Sequence, residues 1–173
     1  MVFLFLIRLR VCVITDSNGF ILHHKIMQNE VDSDIAVDIT SEVLKKYSNI
    51  VSCSYDKGFW SPENKKRLDS ILETAALMKK GKVSKADKEE QYSKKFMKAK
   101  KGHSAVESNI NALQVHGLNK CPDKGLDSYK SYVSLSVLSR NIQHLGSLIM
   151  KKAKEKQKRS EAIKQGLKLS LAA

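Results

Sequence analysis

Asp56 stands in Cys53-Ser54-Tyr55-Asp56-Lys57-Gly58-Phe59-Trp60-Ser61-Pro62, where a β-type run ends on a carboxylate and a glycine breaks the chain before a helix start. Such an acid can anchor a divalent cation, because the strand fixes the side chain while the turn leaves room for a ligand. The same letters also describe an ordinary surface-turn aspartate. A second segment, His103-Ser104-Ala105-Val106-Glu107-Ser108-Asn109-Ile110-Asn111-Ala112-Leu113, lines up His103, Glu107 and Asn111 at steps of four on one helix face. That ridge serves either as part of an active site or as a solvated helix face. Two-metal phosphodiester cleavage needs several carboxylates converging on ions about 4 Å apart. Magnesium accepts two or three Asp or Glu anchors because it keeps several waters. Asp56 and Glu107 suit that role if the helix packs over the sheet edge.

These residues need a scaffold, and the chain offers an α/β one. Leu9 to Thr15 and Phe20 to Met27 are β-rich and flank the turn Asp16-Ser17-Asn18-Gly19, a hairpin pattern. Asp32 or Asp34 can cap a helix with apolar positions Ile35, Ile39, Val43, Leu44 and Tyr47. A strand over Asn49–Tyr55 carries Asp56 at its end. Ser61 with Pro62 opens the next helix, whose face Leu68, Ile71, Leu72, Ala75 and Met78 is expected to run to Gly81.

Residues 79–101 hold ten lysines against Asp87, Glu89 and Glu90. They form either a solvated, partly helical linker or a phosphate-contacting surface with lysines as point charges. A helix from His103 to His116, stopped by Gly117, is expected to bury Val106, Ile110 and Leu113. Leu118 to Gly125 reads as a loop. A long helix follows, expected to bury Leu126, Tyr129, Val133, Val137, Leu145 and Leu148. The basic tail 151–173 is expected to be a frayed helical extension or a disordered arm.

The 173 residues suffice for one domain with a real core. The net charge of +13 favours a polyanionic partner. Cys12, Cys53 and Cys121 are an odd set without Cys-x-x-Cys spacing, which argues for reduced thiols in a cytoplasmic protein and against a structural zinc site. His23 and His24 point to opposite faces of a strand and make a poor metal pair. Arg8 and Arg10 interrupt the apolar start far short of the roughly 20 residues of a membrane span. No phosphate-cradling glycine motif and no internal repeat is present, and no Ser or Cys sits in a nucleophile motif.

Residues 53–64 resemble the block around the second catalytic aspartate of bacterial insertion-sequence DDE transposases, within them the group filed as not classified yet. Residues 103–125 are similar to that family's third block, with Glu107 at the glutamate position. Arg10-Val-Cys-Val-Ile and Phe20-Ile-Leu-His-His-Lys-Ile-Met resemble the preceding hairpin, so the likeness runs from about Arg10 to Gly146. It implies a ribonuclease-H-like mixed sheet with flanking helices over residues 10–150, and magnesium or manganese held by Asp56 and Glu107. It also implies cleavage and transfer of transposon-end DNA into target DNA, in a nucleoid-associated protein that self-associates or joins an intact transposase. His103 stands where related families often carry arginine and, with Lys57, Lys100 and Lys101, is expected to contact DNA. The family's first catalytic aspartate and its N-terminal DNA-binding region lie upstream of the hairpin, whereas residues 1–9 are an atypical start here. Asp16 matches a non-catalytic family position. The expectation is therefore a shortened copy whose sheet lacks its first strand and which cannot complete transposition alone. The alternative is a non-enzymatic basic DNA-binding remnant.

Overall fold

The computed structural model describes the backbone of residues 9–101, 103–115, 118, 120–122 and 124–171, and their side chains except those of 103–105 and 166–171. The apolar start Met1–Ile7 and the helix stop at Gly117 lie outside the described residues. The chain forms two compact units, Met1–Val115 and His116–Ala173.

In the first unit, β1 (Arg10–Thr15) pairs antiparallel with β2 (Ile21–Met27), with an irregularity between Ile14 and Thr15. The turn is built by Asp16, whose Oδ1 accepts from the Asn18 and Phe20 amides at 2.9 and 2.8 Å. Gly19 takes the positive φ that completes it. Asp16 is thereby committed to the turn. Helix α1 (Asp32–Lys46) follows, burying Ile35, Ile39 and Val43.

Neither expected aspartate is its N-cap. Val31 takes that position, and Asp34 instead reaches back to accept from the Val31 amide at 3.3 Å. Asp32, as the first helical residue, is left free to receive Arg10 Nη1 at 3.2 Å.

The strand β3 (Ser52–Tyr55) leads into a 3-10 turn, Lys57–Phe59, and then α2 (Pro62–Ile71). Ser61 caps α2 as expected, its Oγ accepting from the Asn64 amide at 3.0 Å. The helix does not run to Gly81. It stops at Ile71, and Thr74–Leu77 is a strand, β4, parallel to β3. Alanine's helix propensity favours continuation, but pairing with β3 and burial on both faces override it. Ala75 and Leu77 pack with Ala36, Val37, Leu68 and Leu72. Ala76, on the other face, is buried as well.

Two helices occupy the lysine-rich excursion, α3 (Lys85–Gln91) and α4 (Lys94–Lys101). A capping box of Ser84 and Asp87 starts α3, and Lys79 Nζ lies 2.6 Å from Asp87, holding that carboxyl well below the usual carboxylate range. Helix α4 packs on β3 and β4 through buried Phe96. The segment is thus an ordered layer of the fold rather than a linker. Helix α5 (His103–Val115) completes the unit and meets β1.

Among the described residues this is a mixed α/β unit with two two-stranded sheets, β1–β2 and β3–β4. Burial pushes the Cys12 thiol of β1 up to about 11, followed by Asp32 and then by Cys53 of β3, which is close enough to contribute. All three cysteines are free thiols.

The second unit contains α6 (Leu126–Leu171), 46 residues long and so about 69 Å at 1.5 Å per residue. Val133 and Val137 are buried as expected, but Leu145 is half exposed on the opposite side. The tail is helical through Leu171 rather than disordered. Lys, Glu, Gln and Ala are strong helix formers, and no glycine or proline interrupts them between Gly146 and Gly166. No helix among the described residues is long and apolar enough to cross a membrane.

One pH response follows from the hairpin. His23 Nε2 lies 3.3 Å from Glu42 Oε2, yet burial outweighs the carboxylate and lowers the pKa of His23; burial also lowers that of His24. Unfolding frees both rings to bind protons at their ordinary pKa, so the unfolded chain takes up more protons just below pH 6.5. Stability is therefore full above that range and falls as pH drops through it. The thermal midpoint is expected to fall between pH 7.5 and 5.5, and to fall less in a His23→Gln/His24→Gln variant, as measured by circular dichroism.

Candidate functional site

Asp56 closes β3 because the residues before it are held from behind. Cys53 and Tyr55 share one strand face and pack against the α1–α2 core. The Thr40 hydroxyl donates to the Ala36 carbonyl at 2.7 Å. Its single proton is thereby used, and the Tyr55 hydroxyl donates to Thr40 Oγ1 at 2.9 Å. Burial drives the Tyr55 phenol pKa far above its usual value. Tyr55 is thus a neutral strut that fixes the strand end.

At that end Asp56 is exposed, and its Oδ1 accepts from the Lys57 amide at 2.6 Å, starting the 3-10 turn. One carboxylate oxygen is thereby committed to the backbone. Gly58 lies close against the Asp32 carboxylate, which any larger residue there would have to displace. A Cβ there would stand 2.5 Å from Asp32 Oδ2. Asp32 is in turn held by Arg10, whose Nη2 also donates to the Glu30 carbonyl at 2.6 Å. Asn64 of α2 closes the same junction, donating Nδ2 to the Ser33 carbonyl at 2.6 Å and the Phe59 carbonyl at 2.9 Å.

Glu107 is exposed on α5. The orientation of this helix was not legible from its apolar letters. The residue that anchors it is Asn109, fully buried, with Nδ2 donating to the Gly19 carbonyl at 2.9 Å. Leu113 is buried as expected, whereas Ile110 is partly exposed. Residues two apart on a helix lie about 200° from each other, so Glu107 looks away from the hairpin turn that Asn109 grips. The His103 side chain lies outside the described residues.

Asp56 and Glu107 therefore belong to different neighbourhoods. The 3-10 turn beside Asp56 touches Asp32, and Asp32 touches Arg10, at the open end of the hairpin. The helix of Glu107 grips Gly19, at the closed end. The six residues of β1 between them span about 20 Å at 3.3 Å each. Among the described residues no group of three or more His, Cys, Asp or Glu side chains gathers to hold a metal ion. The contacts of Asp56 and of α5 do not by themselves join Asp56 and Glu107 at one metal-sized gap.

The lysines form a more coherent surface. Helix α4 contains Lys94, Lys95, Lys98, Lys100 and Lys101 and no acid, and all five are exposed. Lys94, Lys98 and Lys101 recur at steps of four and three on the side away from buried Phe96. Of the three acids of α3, Asp87 pairs with Lys79 and Glu90 with Lys65 at 2.7 Å, while Glu89 is exposed. Lys57 adjoins Asp56 and is also exposed. The sequence marks the charge of this segment, but only the burial of Phe96 turns it into a rigid ridge.

Comparison with known proteins returns no matching family model, no matching curated protein and no matching solved structure.

Proposed function

We infer that the chain is a basic DNA-binding protein related to the catalytic domain of DDE transposases, which holds DNA without cleaving it. The observation that carries this reading is α4, a lysine ridge with no acid in it, pinned to the β3–β4 sheet by Phe96. A fixed row of point charges neutralises successive phosphates at less entropic cost than a floppy arm. Lys57, Lys100 and Lys101 add positive charge in this reading, His103 enters only as a contact the resemblance implies, and transposon-end or target DNA is the ligand.

Support for the relationship comes from the blocks around Asp56 and Glu107 and from the order of elements. An antiparallel hairpin, a helix, a strand ending in Asp56 and a parallel strand follow the order of a ribonuclease-H-like sheet.

Fluorescence anisotropy with a short labelled duplex tests the binding. Log affinity is expected to fall linearly with log salt. Lys94→Glu/Lys98→Glu/Lys101→Glu is expected to weaken binding about tenfold or more with an unchanged circular dichroism spectrum. Equal binding by this variant would sink the assignment to α4. A magnesium-dependent nicking assay is expected to show no activity in the wild type. Nicking that disappears in both Asp56→Ala and Glu107→Ala would instead establish the cleaving, transposase-type reaction.

A further inference from the structure

Helix α6 carries an apolar stripe that the fold does not use. Leu135, Leu138, Ile142, Leu145 and Ile149 are each between 48% and 62% exposed. They lie on the side opposite the buried Val133 and Val137, by the 100° step of a helix. Their spacings are three, four, three and four, a mean of 3.5 residues. That period keeps a seam facing a neighbouring helix over its whole length, whereas a helix face packed only on a globular core follows 3.6.

We propose that this stripe is a self-association surface on which α6 of a second copy of the chain packs antiparallel. Three observations select that occupant. The stripe is flanked by small uncharged residues, Ser134, Ser139, Asn141 and Gly146, so an identical helix meets no like charge and can approach closely. Between Ser134 and Met150 the only Lys, Arg, Asp or Glu is Arg140. A helix lying on an acidic membrane would instead need a lysine-rich face beside its apolar one. Finally, about half of each of the five side chains is exposed, so two copies would cover on the order of 1,000 Å², where specific interfaces begin.

Orientation follows from the charge beyond the stripe. Residues 151–165 carry seven Lys or Arg against Glu155 and Glu161. A parallel pair would hold two such segments side by side, whereas an antiparallel pair sends them to opposite ends. In the antiparallel register Ile142 faces the partner's Leu145, and Leu138 faces the partner's Ile149.

Sedimentation velocity on the full chain at tens of micromolar tests the surface. The wild type is expected to be a dimer, and Ile142→Lys/Leu145→Glu a monomer with the same helical circular dichroism, because both positions are exposed. A monomeric wild type overturns the proposal, and so does a variant that stays dimeric, since the contact then lies elsewhere. Orientation is read by oxidative cross-linking of Leu138→Cys and Ile149→Cys chains, with the wild type as background for the native thiols. Mixed chains linking several-fold more than either alone support the antiparallel pair; each chain linking mainly to itself overturns it.

Discussion

Leu68→Ala is expected to destabilise the first unit by the upper part of the about 2–5 kcal/mol seen for buried leucines cut to alanine. Leu68 is fully buried among Ala36, Val37, Leu72, Ala75 and Leu77. Most of these neighbours are small, and two belong to a strand pinned by its pairing with β3. Leu44, Tyr55, Phe59 and Trp60 also pack against the cluster, but Tyr55 is held by its bond to Thr40, so the cavity closes only in part. Urea denaturation should show a lower midpoint with an unchanged slope. Ile71→Ala, three residues on but partly exposed, is expected to cost less than about half as much. Equal losses at the two positions would show that Leu68 is not the centre of this core.

The second large effect is expected at Asn64. Its side-chain amide bridges the Ser33 and Phe59 carbonyls at 2.6 and 2.9 Å, and the residue is buried. Asn64→Ala removes both bonds donated at this part-buried junction, at up to about 1–3 kcal/mol each, so at most about 2–6 kcal/mol in total. Asn64→Asp should be no better, because a carboxylate cannot donate to a carbonyl. Chemical denaturation of both variants checks this, and near-wild-type stability in Asn64→Asp would sink the donor role. The loss should also loosen the turn after Asp56, since Phe59 is one of the two anchors.

Much of the hairpin, α1 and the β3–turn–α2 passage was legible because the signals are local. Asp16 to Gly19 is a turn by its own chemistry, and Ser61-Pro62 starts a helix wherever it stands. β4 was not legible, because Thr74-Ala75-Ala76-Leu77 has no alternating pattern. Its strand state comes from β3, more than twenty residues upstream. Phe96 was legible only as an aromatic in a lysine run, since what buries it is the far face of β4. Leu145 misled for the opposite reason: a leucine on a long helix reads as core until the direction of its face is known. At the candidate site, the positions of Asp56 at a strand end and Glu107 on a helix were readable. The rotation of α5 was set by Asn109, a polar residue that no apolar pattern reveals.

The junction at the start of α1 draws in Arg10, Glu30, Asp32, Ser33, Gly58, Phe59 and Asn64. Four stretches of chain thus terminate on one knot, which divides the loops by how freely they can drift during evolution. The link from β2 to α1 has no slack, since Glu30 to Ser33 are themselves strands of the knot. By contrast, the excursion between α1 and β3 touches none of it. Homologous chains should vary in length more before Ile50 than in the β2–α1 link, since Ile50 packs on the core and the Val51 carbonyl accepts from the Glu73 and Thr74 amides.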